Sequence, residues 1–491
     1  MKTNSLINRT GSKFWPANLP GFAAMLLSCL LFASPVRAET IKGPSPLRIS
    51  PSGHAFVRES GAPFFWLADT GWFLFGRLTL PEADFYLRTR RDQGFTVVQA
   101  MLLPEFEDEA AMTRTGVAPF REVSPQHLEP NPVYFDQVDA VLDRADELGF
   151  YVLLFAVWRD YWRPMPKHPE RKPILTVENA RNYGEYLARR YGNRPGILWG
   201  LGGDSMPTDD AQAAVMTALA EGLRTSARRQ LITYHPGGRK SSSMAPFPKG
   251  MFDFNMCQSG HNLDEPLWDL IGTDYHATPA KPVVDGESLY ENIARPLWRA
   301  KPETPKATDD EVRRAMYQGV FAGGFGATYG ANSVFQFQRK GEPASWFTSL
   351  PWQEGLHLPG ARQVRYLRNL MLSRTGPERV PAPELLVSDS HEGRDHTAAL
   401  CAADRSYAMV FTGGGKSFTV DLSRLSGGKI RATWYNPRTG EPVPADVFPR
   451  GGEHTFTPPV ADQPEDWVLV LDDTARSYPW PGTWLGNSHE D

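Results

Sequence analysis

Two acidic residues stand at the ends of apolar runs that read as buried strands. Asp204 ends the run GILWGLGGD, and Glu287 ends the run PVVDGE. Two carboxyl groups meeting across a pocket are what cleavage of a glycosidic bond requires: one protonates the leaving oxygen, and the other attacks the anomeric carbon or activates water. Each acid also has a structural alternative, since Asp204 could cap the following helix and Glu287 could pair with Arg295 or Arg299.

The elements that must position these acids form a repeating pattern. From about residue 45 to 375, short apolar runs alternate with amphipathic stretches, which is typical of a parallel α/β sheet. Eight strand runs are predicted at 64–70, 95–103, 151–158, 196–204, 231–236, 252–261, 282–287 and 326–335. This count predicts a (β/α)8 TIM barrel with insertions at 104–132 and 159–176. Strands four and seven of such a ring face each other, which would bring the two carboxyl groups together.

The alternative architecture is an open, doubly wound sheet. Such a sheet usually carries a glycine-rich phosphate-binding turn. The closest stretches, GGFGATYG and GGGKS, do not fit, because Tyr329 stands where the last glycine is needed and Val410 where the first is needed. The pattern therefore favours the barrel.

Several polar and aromatic residues follow the other strand runs and would line the same mouth. Asp69 is expected to bind a sugar hydroxyl beside the stacking ring of Trp72. The remaining predicted substrate-binding residues are Gln99, Trp158, His235, Gln258 and His261. His235, His261 and Asp69 could instead bind a metal, but no two of them have a close ligand spacing. We predict neither a metal nor another cofactor.

The chain changes character after residue 378. Short β-rich pieces such as RSYAMVFTGGG, IRATWYNPRTGE and DWVLVLD are separated by Gly, Pro and Asp turns. This pattern predicts a C-terminal antiparallel β-sandwich over 379–491, after a barrel domain over 39–378.

The N-terminus is typical of an exported protein. Basic residues precede the apolar run LPGFAAMLLSCLLFASP, and VRA supplies a cleavage pattern ending at Ala38. We expect residues 1–38 to be a signal peptide and the mature chain to be secreted or periplasmic. Lipid modification of Cys29 is the alternative. Cys257 and Cys401 are predicted to be free thiols.

Composition narrows the range of partners. The 491-residue chain is 41% hydrophobic and has a formal net charge of −4, so it lacks the basic field that gathers nucleic acid. No segment after the N-terminal run is apolar enough to span a membrane. Aromatic residues make up 12% of the chain, which suits an oligosaccharide or polysaccharide substrate. The sequence does not predict an oligomeric state.

Several motifs in order resemble glycoside hydrolase family 140, the apiosidase-like barrels. They are FFWLADTGW, RDQGFTVVQ, YFDQVDAVLDRADELGFYV, ILWGLGGD, HPGGRKSS, FNMCQSGH and PVVDGESLYE. The C-terminal segments TWYNPRTGE and HTFTPPVADQPEDWVLVL resemble the β module, named for collagen binding, that accompanies these barrels. One departure is Ser288, where the family more often has proline.

The resemblance implies a retaining hydrolase that removes apiose-linked side chains from a branched plant pectin. It makes Asp204 the acid/base and Glu287 the nucleophile of a double displacement. This mechanism predicts carboxyl groups about 5–5.5 Å apart and a raised pKa for Asp204. The alternatives are a hydrolase for another furanoside or a galactoside, and a glycan-binding protein without activity.

Overall fold

The computed structural model describes residues 43–104, 116–165, 169–170, 172–226, 230–261, 268–342, 345–348, 350–376, 378–459 and 465–483. The predicted signal peptide and Cys29 lie outside these residues. Within the described ranges, no helix is both long enough and apolar enough to cross a membrane.

The N-terminal part alternates strands and helices, as predicted. Its strands are β1 Leu47–Ile49, β2 Phe56–Arg58, β3 Trp66–Thr70, β4 Val97–Met101, β5 Phe120–Val123, β6 Leu128–Pro130, β7 Tyr151–Phe155, β8 Ile197–Gly202, β9 Ile232–His235, β10 Lys240–Ser241, β11 Asn255–Gln258, β12 Val283–Asp285 and β13 Gly326–Tyr329. Its helices are α1 Leu74–Arg77, α2 Leu80–Asp92, α3 Pro132–Glu147, α4 Val177–Tyr191, α5 Asp210–Leu223, α6 Trp268–Tyr275, α7 Asp309–Phe321, α8 Asn332–Phe335, α9 Trp352–Gly355 and α10 Pro359–Leu372.

Eight of these strands form a TIM-like barrel. Six are hydrogen-bonded in the parallel order β13-β3-β4-β7-β8-β9, and β11 pairs in parallel with β12. Single backbone bonds connect the two groups: Asp253 donates to Ile232 (2.8 Å), and Phe325 donates to Val283 (3.0 Å). The barrel strands are buried along their whole length, which explains their near-continuous apolar runs. The predicted fold class is confirmed.

Capping residues in the sequence mark where the main helices begin. Thr79 and Glu82 form a capping box at α2, and Thr308 and Glu311 form another at α7. Pro81 occupies the first turn of α2, where its missing N–H costs no helical hydrogen bond. The first predicted insertion contains the antiparallel pair β5–β6, and a short 3-10 helix, Arg159–Tyr161, opens the second.

The C-terminal part is a β-sandwich, also as predicted. Its strands are β14 Arg379–Pro381, β15 Thr397–Ala402, β16 Tyr407–Thr412, β17 Phe418–Asp421, β18 Lys429–Tyr435, β19 Pro442–Pro449, β20 Glu453–Phe456 and β21 Trp467–Asp473. The antiparallel sheet β14-β15-β16-β21-β18-β19 covers the pair β17–β20. Cys257 and Cys401 are buried free thiols.

The larger sheet of the sandwich packs on the barrel. Along β16, Met409 and Phe411 belong to the same apolar cluster as the barrel core, whereas Val410 belongs to the cluster inside the sandwich. This alternation follows the two-residue period of a strand. A buried ion pair crosses the contact: both Asp466 oxygens accept from the Arg313 guanidinium at 2.8 Å.

Candidate active site

Asp204 is positioned by a run of left-handed backbone at the end of β8. Gly202, Gly203 and Asp204 have φ angles of 89°, 96° and 47°. Glycine is needed at the first two positions, because an added Cβ would lie 2.6 Å from the ring of Tyr234 at 202 and 2.5 Å from that of Trp158 at 203. The sequence GGD therefore encodes a sharp turn that ends on a carboxyl group.

The Asp204 carboxyl group contacts polar side chains from the 3-10 helix Arg159–Tyr161 and from the end of β11. Oδ2 accepts from Arg159, and Gln258 forms a second hydrogen bond to the carboxyl group. The side chain remains 35% exposed, so it is reachable from solvent. It does not cap a helix, because Asp209 caps α5 by accepting from the backbone N–H of Gln212 (2.8 Å).

The surroundings of Asp204 favour its protonated form. Partial burial of the carboxyl group among its neighbours raises the pKa, and the negative charge of Glu287 raises it further. The positive charge of Arg159 acts in the opposite direction but does not cancel the rise. A carboxyl group that holds its proton can donate it to a leaving oxygen.

Glu287 lies two residues beyond β12 and is 8% exposed. Nε2 of His235 is 3.1 Å from one carboxylate oxygen, and Nε2 of His261 is 3.3 Å from the other. Burial alone would raise the pKa of Glu287, but the two histidine hydrogen bonds outweigh it and hold the pKa well below its usual range. The proposed ion pair with Arg295 is absent, because Arg295 pairs with Glu311.

His235 connects the two acids. The backbone N–H of Asp204 donates to Nδ1 of His235 (3.2 Å), while Nε2 of the same ring faces Glu287. Nδ1 also lies 2.9 Å from the carbonyl oxygen of Pro236, which can only accept a hydrogen bond. One imidazole ring therefore separates the Asp204 turn from the Glu287 carboxylate.

Aromatic rings enclose the back of the site. The ring centroids of Trp72 and Trp158 are 4.9 Å apart, and each lies 5.4 Å from the centroid of His235. Trp72 donates through Nε1 to the Tyr290 hydroxyl (3.1 Å), and that hydroxyl also bonds to Glu287. Both tryptophans are only 4% exposed, so little of either ring surface is available to a sugar.

Asp69 does not have the predicted sugar-binding position. It is fully buried, and its Oδ2 accepts from Arg90 (2.8 Å) and from the Tyr86 hydroxyl (2.6 Å). Arg90 lies on α2, so the pair joins the first barrel strand to the first long helix. The prediction that Asp69 binds a sugar hydroxyl was wrong, because the carboxylate is fully buried and pairs with Arg90.

Gln99 is also buried and acts behind the site. Its Nε2 donates to Thr70 (2.9 Å) and to the backbone carbonyl of Gly286 (2.7 Å), one residue before the predicted nucleophile. Gln99 therefore supports Glu287 from below and does not reach the mouth, contrary to the prediction that it binds substrate.

Three residues at the site were not predicted from the sequence. Arg159 lies in a predicted insertion, and Tyr290 follows Glu287 in the motif GESLYE. Asp285 is the third: its carboxylate accepts from the backbone N–H of Glu287 (3.2 Å) and from that of Ser259 (3.3 Å). The only sign of Asp285 in the sequence is the motif DGE, which does not show that its aspartate supports the backbone while its glutamate faces the site.

The site is built around two acids and their hydrogen-bond donors. Among the described residues, no three His, Cys, Asp or Glu side chains are grouped as metal ligands. The structure thus brings Asp204, Glu287, His235, His261 and Gln258 together, with Trp72 and Trp158 behind them.

Two protein families match successive parts of the chain. Residues 50–377 match the family described as "Apiosidase-like, catalytic domain", and residues 380–472 match a family named for collagen binding in a collagenase. A comparison with curated proteins gave no match.

Two solved structures are similar over most of the chain. One, described as a glycoside hydrolase, is 31% identical with a TM-score of 0.77, and the match covers 89% of this chain and 98% of that one. The other is described as a family 5 glycoside hydrolase from Bacteroides vulgatus. It is 30% identical with a TM-score of 0.77, and the match covers 89% of this chain and 96% of that one. The match over residues 50–377 shows that this chain belongs to the family of apiosidase-like catalytic domains.

Proposed function

We propose that the protein is a retaining glycoside hydrolase, with Glu287 as nucleophile and Asp204 as acid/base. The observation that carries the proposal is the opposite electrostatic environment of the two carboxyl groups. Burial and a neighbouring negative charge raise the pKa of Asp204, whereas two histidine donors lower the pKa of Glu287. Two carboxyl groups whose pKa values are driven apart in one site suit the acid and nucleophile roles of double displacement.

The first step forms a glycosyl ester. An ionised oxygen of Glu287 attacks the anomeric carbon, the bond from that carbon to the leaving oxygen breaks, and the proton of Asp204 passes to the leaving oxygen. In the second step, Asp204 takes a proton from water while the water oxygen attacks the same carbon. The ester bond then breaks, and both carboxyl groups return to their starting states.

The surrounding donors have distinct tasks in this scheme. His235 and His261 keep Glu287 ionised and orient it, and the Tyr290 hydroxyl adds a third bond to the same carboxylate. After the first step Asp204 is ionised, and the adjacent Arg159 guanidinium then stabilises its negative charge. The low position of the Glu287 pKa also makes this carboxylate a good leaving group in the second step.

For the substrate, we propose an apiose-linked side chain of a branched plant pectin such as rhamnogalacturonan II. The family of the catalytic domain supports this choice. We further propose that the protein acts after export, as a secreted or periplasmic enzyme with its signal peptide removed near Ala38.

Product analysis tests the substrate. The protein is incubated with rhamnogalacturonan II and with a panel of 4-nitrophenyl furanosides and galactosides, and released sugars are identified by mass spectrometry. Release of apiose supports the proposal. Release of arabinofuranose or galactose instead would identify another linkage, and no release from any fraction would leave a glycan-binding protein.

Two variants test the assignments. Glu287→Gln is expected to lower turnover by several orders of magnitude on every substrate. Asp204→Asn is expected to lose about 10²–10⁴-fold on natural linkages but far less on 2,4-dinitrophenyl glycosides, whose leaving group needs no proton. Asp209→Asn is the matched control, since asparagine also caps a helix well and activity should be unchanged. Proton NMR recorded early in the reaction gives the anomeric configuration of the released sugar before it mutarotates. A product of inverted configuration would contradict the retaining mechanism.

A further inference from the structure

Trp346 and Phe347 are consecutive aromatic residues with outward-facing rings. They are 51% and 37% exposed, and no other two adjacent aromatic residues in the described ranges are both exposed. Hydrophobic residues exposed singly are ordinary in proteins, whereas two adjacent exposed rings form a continuous apolar patch.

The backbone beneath this pair is held in an unfavourable conformation. The φ angles of Trp346 and Phe347 are 51° and 59°, in the left-handed region that bulky residues seldom adopt. The next residue, Thr348, is 1% exposed, so the chain returns to the interior directly after presenting the two rings. Backbone strain of this kind persists only where the surrounding structure fixes it.

Asn332 provides that fixation and connects the pair to the active site. It is fully buried, and its Nδ2 donates to the carbonyl of Trp346 (3.0 Å) and to that of Asn292 (3.2 Å). Asn292 lies on the loop that begins with Glu287. Tyr290 of the same loop contacts Glu287 and lies 5.4 Å from Phe335 in the helix that Asn332 begins.

The location of the pair matches that of substrate contacts in this architecture. Trp346 and Phe347 follow β13, the last barrel strand, and so belong to the loops at the carboxyl end of the strands. Asp204 and Glu287 occupy the same end, where TIM barrels bind their substrates.

We propose that Trp346 and Phe347 form a stacking platform for sugar units of the glycan other than the one being cleaved. This inference rests on the proposed function and extends it to the part of the substrate outside the catalytic pocket. A pyranose or furanose ring has an apolar C–H face of about the size of one aromatic ring. The inner tryptophans, at 4% exposure, do not offer such a face.

A glycan fits this patch better than a protein partner does. A stable protein interface buries about 800 Å² on each side, far more than two side chains supply. A single sugar unit needs only one or two rings. The anchoring of the patch to the loop of the nucleophile also favours an extension of the bound substrate over a separate surface site.

Binding to inactive protein tests the platform without requiring turnover. In a Glu287→Gln background, the affinity for rhamnogalacturonan II oligosaccharides is measured by isothermal titration calorimetry. Adding Trp346→Ala is expected to weaken affinity about tenfold, and Trp346→Phe is expected to preserve most of it because a ring remains. Trp480→Ala is the matched control: it removes a tryptophan of similar exposure, 45%, from the C-terminal part and should leave affinity unchanged.

Kinetics of the active enzyme supply the second readout. Trp346→Ala should raise KM for the oligosaccharide while leaving kcat/KM for a 4-nitrophenyl glycoside unchanged, since that substrate is too short to reach the platform. Unchanged oligosaccharide affinity in Trp346→Ala overturns the inference. An equal loss on the short substrate also overturns it, because Trp346 would then support the catalytic pocket itself. Failure of the proposed function would appear separately, as full turnover in Glu287→Gln.

Discussion

Asp285 makes a specific and measurable prediction about stability. Its carboxylate is buried at 9% exposure and accepts backbone N–H groups from Glu287 and Ser259. Burial raises its pKa from the usual 3.8 to about 6, because the hydrogen bonds from Ser259 and Glu287 only partly offset the loss of solvation. The folded state therefore holds this proton more tightly than the unfolded state does between about pH 4 and 6.

The sign of the effect follows from proton linkage. Since the folded state binds more protons in this window, the free energy of unfolding falls as pH rises through it. The interval between 3.8 and about 6 corresponds to about 3 kcal/mol at 1.36 kcal/mol per pH unit. Asp285→Asn removes the titration but keeps an oxygen that can accept both N–H groups. The stability of the variant relative to the wild type should therefore rise by up to about 3 kcal/mol from pH 4 to pH 7.

Denaturant unfolding followed by tryptophan fluorescence, repeated at pH 4, 5, 6 and 7, measures this difference. Asp421→Asn is the control with the opposite sign. Hydrogen bonds from Ser423 hold the pKa of the partly exposed Asp421 below its usual value of 3.8, so that variant should lose relative stability with rising pH only below about pH 4 and should follow the wild type over the rest of the series. A difference between Asp285→Asn and wild type that is the same at all four pH values would refute the reasoning.

Three further predictions concern other contacts. His261→Ala removes one of the hydrogen bonds that lower the pKa of Glu287, so the acidic limb of the kcat/KM profile should move to higher pH; an unmoved limb contradicts this. Arg313→Met breaks the buried pair with Asp466 and should lower the free energy of unfolding by about 3 kcal/mol, measured by urea titration. A loss below about 1 kcal/mol would contradict this prediction. Gly203→Ala, at φ 96°, should reduce kcat at least about tenfold with an unchanged far-UV CD spectrum, and wild-type kcat would show that the turn tolerates a side chain.

The barrel and the two acids could be predicted because their signals are local and repeat. Strands buried on both faces read as continuous apolar runs, and eight of them in alternation with helices leave few architectures. Once the ring is closed, the tips of its fourth and seventh strands face each other, which brings Asp204 and Glu287 to one site although 83 positions separate them.

The hydrogen bonds and ion pairs that hold the site in place could not be predicted, because they join residues distant in sequence. The sequence predicted Asp69 to be a sugar ligand, but in the structure its carboxylate pairs with Arg90 on the next long helix. Gln99 reaches the carbonyl of Gly286, 187 positions away. Arg159 contacts Asp204 from a segment that the sequence marks only as an insertion. No periodicity encodes which way such side chains turn.

The continuous core between barrel and sandwich has a consequence for how this protein can be divided. Phe411 and Tyr435 of the sandwich pack into the same cluster as Tyr317 on α7, and Arg313 on that helix binds Asp466. Removing the sandwich would expose the apolar residues of α7 that it covers and would take away Asp466, the nearest carboxylate partner of the Arg313 guanidinium. The C-terminal part therefore completes the core of the barrel domain and cannot be exchanged as an independent module without exposing that core.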